Sequence, residues 1–431
     1  MPQLDAGDRP MNVVIAGAGK SLFGIIPGVR LYKLENPKNA PIDLAVFPCS
    51  QAVNVEAWAQ GLPAPLLARI AAGDVGLAFD ASGEGRLHSE ERTRDLHGFV
   101  RQLGVSPARC VYVTQDRSYE ADYAAYCEAA GEAERMTVLT YDYWVRRFVL
   151  AYETGGEAVF ADRLATYRAR PRRRERRFLS LNLTPRASKA LFLLSLLRDG
   201  LWDAGFISFG GFGVAVENKR RDSAPSPPPD FARIAAKLRE QLSGFDDMID
   251  DLEPLLPTLE GKGRILLGEV NADAETGRLV EMPTGDTPLP EHELSWFTVL
   301  TETEMQDRPS RITEKPLKPL VNFHPLIMFA SPGSLAIIRD LGFRTFCEAI
   351  DEAYDEEFDP RRRFDMAYDE FRRLCALDEA KVDALEQSLS EALIHNARWG
   401  LTRLPAVYRD QIDPAFVARV KAAISKDEGV D

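Results

Sequence analysis

Short apolar runs separated by helical segments constrain this chain more than any other feature. MNVVIAG (11–17), DLAVFP (43–48), VGLAFD (75–80), CVYVTQ (110–115) and MTVLTY (136–141) read as strands. Between them, VEAWAQGLPAPLLARIAAG and EERTRDLHGFVRQLG carry helical spacing. Strands that are apolar along their whole length must be covered on both faces. A strand–helix–strand order delivers such strands as a parallel sheet.

A second alternating region follows the basic run RARPRRRERR (168–177), which reads as a solvated interdomain linker. FLSLN (178–182) is a strand, SKALFLLSLLRDG a helix stopped by Gly200, and GFISFGG a strand. SAPSPPPD (223–230) is a stiff surface loop. RILLGEV, WFTVLTET and PLIMFA are three further strand candidates, and the chain beyond about Asp365 is helical. At 431 residues the chain exceeds one ordinary core. The expected fold is α/β: two tandem Rossmann-like βα domains, 1–170 and 171–375, with a helical C-terminal tail over 376–431.

Charge and composition exclude several classes. The formal net charge of −13 argues against a nucleic-acid or anionic-membrane partner, so any bound anion must meet a local positive site. No apolar stretch reaches transmembrane length, and MPQLDAGDRP lacks the pattern of a signal peptide. Cys49, Cys110, Cys127, Cys347 and Cys375 are scattered without a CxxC spacing. They read as reduced thiols of a cytoplasmic protein, not as a disulfide frame or zinc site.

Open parallel sheets hold ligands beyond the carboxyl ends of their strands, so the chemistry is sought there. VVIAGAGKSLFG invites a phosphate-loop reading, but Val14 stands where that motif needs its first glycine, and Leu22 breaks GxGxxG. A glycine turn lining a cleft fits better. AFDASGEG places Asp80 and Glu84 after a strand, either as acceptor-activating bases or as solvated acids of a turn. His88 and His97 are weaker candidates. SLNLTPRASK places Asn182 and Arg186 before a helix start, where an arginine can clamp phosphate.

RITEKPLKPLVNFHPLIM (311–328) crowds charge and proline ahead of an apolar strand. A helix starting at Pro316 and ending near Phe323 accommodates Pro316 and Pro319 in its first turn, where N–H groups have no helical partner. Glu314, Lys315 and Lys318 then cluster there; either the two lysines repel until an anion such as a diphosphate arrives, or the segment is a surface salt-bridge cluster. Glu314 suits sugar or ribose hydroxyls. LTETE adds Glu302 and Glu304 at the neighbouring strand end.

These residues resemble the donor segment of the inverting α-1,3/1,4-fucosyltransferases. There a strand-end glutamate is followed by a Thr-Glu-Lys signature, a helix and a proline-led strand. The segment is also similar to uncharacterised glycosyltransferase-like proteins of bacteria and phages. The likeness spans about residues 295–355. Glu314 and Lys315 match the Glu-Lys pair, which implies ribose and phosphate contacts, and Glu304 matches the strand-end glutamate. Met305 stands where the family has asparagine and Arg311 where it has tyrosine. The resemblance implies a two-lobed GT-B architecture with the nucleotide sugar held by the C-terminal lobe.

The combined expectation is a metal-independent glycosyltransferase with no tightly bound cofactor and a GDP- or UDP-linked sugar as co-substrate. Its acceptor would be a glycan or protein hydroxyl. Arg186, Lys315, Lys318 and Arg311 would hold the diphosphate, and Glu84 or Asp80 would be the base. Two rivals stand beside it. One is an enzyme binding S-adenosylmethionine or a nucleotide at the N-terminal glycine turn, although DLAVFPCS offers no ribose-binding acid. The other is a non-catalytic module of GT-B type.

Overall fold

The computed structural model describes residues 9–16, 21–34, 40–49, 53, 55–170, 173–183, 186–212, 229–265, 267, 270–272, 279–281 and 289–425. The protein is α/β, with two parallel sheets, one in each of two compact units. The first unit comprises Met1–Arg147, Pro309–Arg311 and Ala406–Asp431; the second comprises Phe148–Arg308 and Ile312–Pro405.

The first sheet has six strands: β1 (Met11–Ile15), β2 (Val29–Tyr32), β3 (Leu44–Pro48), β4 (Gly76–Asp80), β5 (Cys110–Thr114) and β6 (Thr137–Thr140). They lie in the order β2-β1-β3-β4-β5-β6, all parallel. Every residue of β4 and β5 is buried, which is why these strands read as unbroken apolar runs. Phe47 packs its ring on Trp58 (5.1 Å) and edge-on to Phe99 (5.4 Å), joining the sheet to its covering helices. The helical stretch after β3 is two helices, Val55–Gly61 and Ala64–Ala71, because Pro63 and Pro65 can occupy a helix start but not an interior. Strand β2 has no counterpart among the sequence-derived strands. It is an edge strand with Arg30 and Leu31 exposed, so little burial pressure marks it.

The second sheet contains β7 (Phe178–Asn182), β8 (Gly205–Phe209), β11 (Phe297–Thr301) and β12 (Leu326–Phe329), in the parallel order β12-β11-β7-β8. The helix Ala187–Arg198 is buried from Ala187 through Leu196, and Gly200 ends it with φ +68°. Among the described residues of RILLGEV, none joins the four-stranded sheet as a strand, and Val270 begins a separate two-stranded pair. Ile265 makes one antiparallel bridge to Phe209, and Val270–Ala272 (β9) pairs antiparallel with Leu279–Glu281 (β10). The loop at 223–228 lies outside the described residues. In the tail, Asp359 caps the helix Pro360–Cys375 by accepting from Arg362 N (2.7 Å), and Phe371 sets its ring edge-on to Phe178 (5.0 Å).

One expectation is corrected here. The basic run at 168–177 is not a solvated linker throughout: the side chains of Arg170 and Arg174 are buried and paired with Glu386 of the helix Glu379–Arg398. A buried guanidinium needs such a partner. The helical tail divides between the two units. Its last helix, Asp413–Ile424, belongs to the first unit, where buried Asp413 accepts from the Tyr141 hydroxyl and pairs with Arg146 Nε at 3.0 Å. Among the described residues no helix is long and apolar enough to cross a membrane.

Candidate functional site

In the second unit the chain leaves β7 for β8 on one side and returns to β11 on the other. The strand order therefore reverses between β7 and β11, and their carboxyl ends part to form the crevice where sheets of this kind hold ligands. Asn182 ends β7, and Glu302 follows β11. Asn182 is fully buried and spent within the sheet. Its Oδ1 accepts from Thr301 Oγ1 (2.7 Å), and its Nδ2 donates to Ser180 Oγ (2.8 Å). It spans the floor of the crevice, so its amide is not a free contact for a nucleotide, contrary to the role read from sequence.

The cluster above that floor is built on Glu302. Its Oε1 accepts from Thr313 Oγ1 (2.8 Å), and its Oε2 meets Lys315 Nζ (2.8 Å). Lys315 Nζ also donates to Thr303 Oγ1 (3.4 Å), and Thr313 Oγ1 accepts from Lys315 N (3.3 Å). Ser188, in the first turn of the helix Ala187–Arg198, donates to the Glu302 carbonyl (2.6 Å). The strand end, the segment around 313–315 and a helix start thus share one knot. Glu302 is buried and Lys315 about a quarter exposed. The expectation that Lys315 and Lys318 repel until an anion arrives is corrected: Glu302 already neutralises Lys315. Glu302 is correspondingly engaged and does not stand open to sugar hydroxyls.

The remaining residues of that segment fall as the prolines dictate. Pro316 caps a short helix, Leu317–Val321, with φ −65°, and Lys318 lies on it. Glu314, Lys318 and Glu304 are half-buried, and Arg186 is exposed as the residue capping the helix Ala187–Arg198. Arg363 fixes the loop after β11. It is almost wholly buried and donates to the carbonyls of Met305, Gln306 (2.9 Å), Ala330 (2.9 Å) and Glu357 (2.6 Å). Carbonyl oxygens on this scale satisfy a buried guanidinium without a carboxylate.

In the first unit, Asp80 is wholly buried at the end of β4. It accepts from Ser21 Oγ (2.6 Å), Leu22 N (2.7 Å), Ser82 N (3.0 Å) and Ser82 Oγ (2.5 Å). Four bonds fill its acceptor capacity, so it ties strand ends together and is not placed to take a substrate proton. Glu84 is exposed on the turn that follows, where Gly85 N donates to Ala81 O (3.0 Å). Arg311 groups with this unit, whereas Arg186, Lys315 and Lys318 belong to the second. A Cβ on Gly85 would lie 2.7 Å from Arg311 Cδ, and Gly85 has φ +54°, so glycine is required twice over. Burial lowers the pKa of both His88 and His97, which bond Thr93 Oγ1 and the Tyr123 hydroxyl respectively at 2.9 Å. The glycine turn at 17–20 lies outside the described residues.

Sequence reasoning missed Thr303, Thr313 and Ser188 in the second unit. It also missed Gln115, whose Oε1 accepts from Trp144 N (3.3 Å) close to Gly85. Hydroxyl residues beside strand ends carry no distinctive spacing; only Thr313, two before Lys315, sat in a recognisable signature. Among the described residues no three His, Cys, Asp or Glu side chains gather as a metal site. No protein-family model, curated protein or solved structure matches the chain.

Proposed function

We propose that the protein is a glycosyltransferase of GT-B type that moves a sugar from a nucleoside-diphosphate sugar to an acceptor hydroxyl. The observation that carries this reading is the knot of Lys315, Glu302, Thr303 and Thr313 at the switch point of the second sheet, tied through Ser188 to a helix start capped by exposed Arg186. An ammonium has three donors. Two of those on Lys315 face Glu302 and Thr303, which leaves one for a phosphate oxygen. Arg186 and Lys318 supply further positive charge, and the first N–H groups of the helix Ala187–Arg198 are natural phosphate donors.

In the reaction, the acceptor oxygen bonds to the anomeric carbon as the bond from that carbon to the diphosphate breaks. The electron pair leaves with the diphosphate, where the cations stabilise it. A general base takes the acceptor proton. The first sheet has its own reversal, between β1 and β3, and this favours a second reading in which S-adenosylmethionine or a nucleotide binds there.

A thermal-shift screen with UDP, GDP, CDP, dTDP, ATP and S-adenosylmethionine separates the two, because a ligand of the folded state raises the melting temperature by mass action. Arg186→Ala is run alongside, since Arg186 is exposed and its side chain makes no capping bond to the helix. The proposal expects one nucleoside diphosphate to stabilise the protein and the variant to bind it about tenfold more weakly, the loss of one charge-assisted bond. Stabilisation by S-adenosylmethionine alone, unchanged in the variant, would replace it with the second reading. No response to any nucleotide would remove both.

A further inference from the structure

A second site lies at the opposite end of the second sheet from Glu302. The helix Gly156–Ala169, the helix Pro290–Leu294 and the turn at Asn322 and Phe323 line a half-open cavity of about 60 Å³. By the same measure a water occupies roughly 10–15 Å³, so the space admits several waters or one small anion. Its relation to the sheet is fixed by His324. His324 Nδ1 bonds Thr298 Oγ1 (2.7 Å) and its Nε2 bonds Ser295 O (2.9 Å), both at the amino end of β11. The cavity is therefore not part of the crevice at the carboxyl ends.

Two buried polar side chains line it without completing their bonding. Arg163 is 6% exposed; its Nη2 donates to the Tyr152 hydroxyl (3.3 Å), while its Nη1 makes no hydrogen bond. His292 is 5% exposed; its ring meets the Leu289 carbonyl, while its Nδ1 makes no hydrogen bond within the geometric limits. A buried, unmade hydrogen bond to a cation is costly, and natural folds supply a partner from water or ligand. Arg170 also lines the space, lying 3.9 Å from the Tyr167 ring, and Tyr167 in turn stacks on Phe323 at 4.5 Å. Phe323 has φ +56°, a rare conformation for an aromatic residue.

The charges around the cavity favour an anion. Arg163 and Lys318 both act on His292, and Arg170 and Arg174 on His324, in the sense that opposes protonation. Arg170 and Arg174 share a single carboxylate, Glu386. Of the acids lining the cavity, Asp162 is exposed at the rim and Glu293 is half-buried.

We infer that this cavity binds a small oxyanion, a phosphate or carboxylate group, received by Arg163 Nη1 beside the His292 ring. The group is either a free ion or the charged end of a larger molecule entering past Asp162. The site is independent of the crevice at β7 and β11, so it serves as a second ligand site on the same unit.

Isothermal titration with inorganic phosphate and, separately, with acetate tests this at constant ionic strength. The variants are Arg163→Gln, His292→Phe and Arg186→Ala, with nitrogen NMR of the histidine rings of the unaltered protein as a second readout. The expected result is binding of at least one anion, about tenfold weaker in Arg163→Gln, and a shift of the His292 ring resonance on titration. His292→Phe keeps an aromatic of similar bulk, so it reports even if Arg163→Gln fails to fold. Binding that survives in His292→Phe but vanishes in Arg186→Ala would place the anion at the carboxyl-end crevice and overturn the inference. An unmoved His292 resonance with both anions at millimolar concentration would overturn it too. A phosphomonoester binding more tightly than inorganic phosphate would identify the group as part of a larger molecule.

Discussion

Removing Lys315 should cost more stability than removing the charge of its partner. Glu302 is 7% exposed at its side chain and Lys315 27%, so the two ends of the 2.8 Å pair see different surroundings. Lys315→Met leaves a buried carboxylate without this cation. Breaking a fully buried pair from one side costs about 3–5 kcal/mol; the partial exposure of Lys315 admits water and reduces this to about 1–3 kcal/mol. Glu302→Gln keeps the Thr313 bond and leaves an ammonium that can reach solvent, so it should cost about 1 kcal/mol or less. The double variant carries no uncompensated charge and should recover part of the larger loss, with a coupling of about 1–2 kcal/mol. The chain has two units, so global unfolding need not be two-state. Amide hydrogen exchange along β7 and β11 reads the second unit by itself. Equal costs for the two single variants, or strict additivity in the double, would refute the view that the carboxylate is the buried member held by the lysine.

Three other expectations follow from single sites. Burial holds His292 at a pKa of about 3, below the ordinary histidine value, with the Arg163 and Lys318 charges adding to the effect. Because the unfolded state binds the proton more readily, the stabilisation is complete above the unfolded pKa near 6.5 and is lost as pH falls from there towards 3. That one group should cost about 2 kcal/mol at pH 5, and His292→Phe should flatten the acid side of a stability–pH curve measured by exchange in the second unit. Gly85→Ala should destabilise the first unit by about 1–3 kcal/mol, since φ +54° and the Arg311 Cδ at 2.7 Å both oppose a Cβ; an unchanged exchange pattern in β4 would contradict this. Asp413→Asn should cost about 3–5 kcal/mol by breaking the buried pair with Arg146, and limited proteolysis should then release the last helix first.

The fold was legible where burial is symmetrical and the site where it is not. Strands such as β4 and β5 are covered on both faces, so their sequences are apolar throughout and declare themselves. The edge strand β2 lacks that pressure and left no pattern, whereas RILLGEV read as a strand and supplies a single bridge at Ile265. Prolines located the start of the short helix after Lys315, because ring geometry acts locally. Charge did not behave that way. The partner of a cation is fixed by which strand ends the sheet brings together, and no spacing along the chain announces it. Lys315 looked like an unpaired cation beside Lys318 until the order β12-β11-β7-β8 put Glu302 against it. Asp80 looked like a base until Ser21, far away in sequence, closed its acceptor positions. The basic run at 168–177 looked solvated until Glu386 met two of its arginines. In each case the sequence showed a charged group at a strand end or in a loop, and the tertiary fold decided whether that charge was held for structure or left for a ligand. By that criterion Arg186, Glu84 and the unbonded Nη1 of Arg163 are the groups most open to substrate, whereas Asp80, Asn182 and Glu302 hold the frame on which those groups stand.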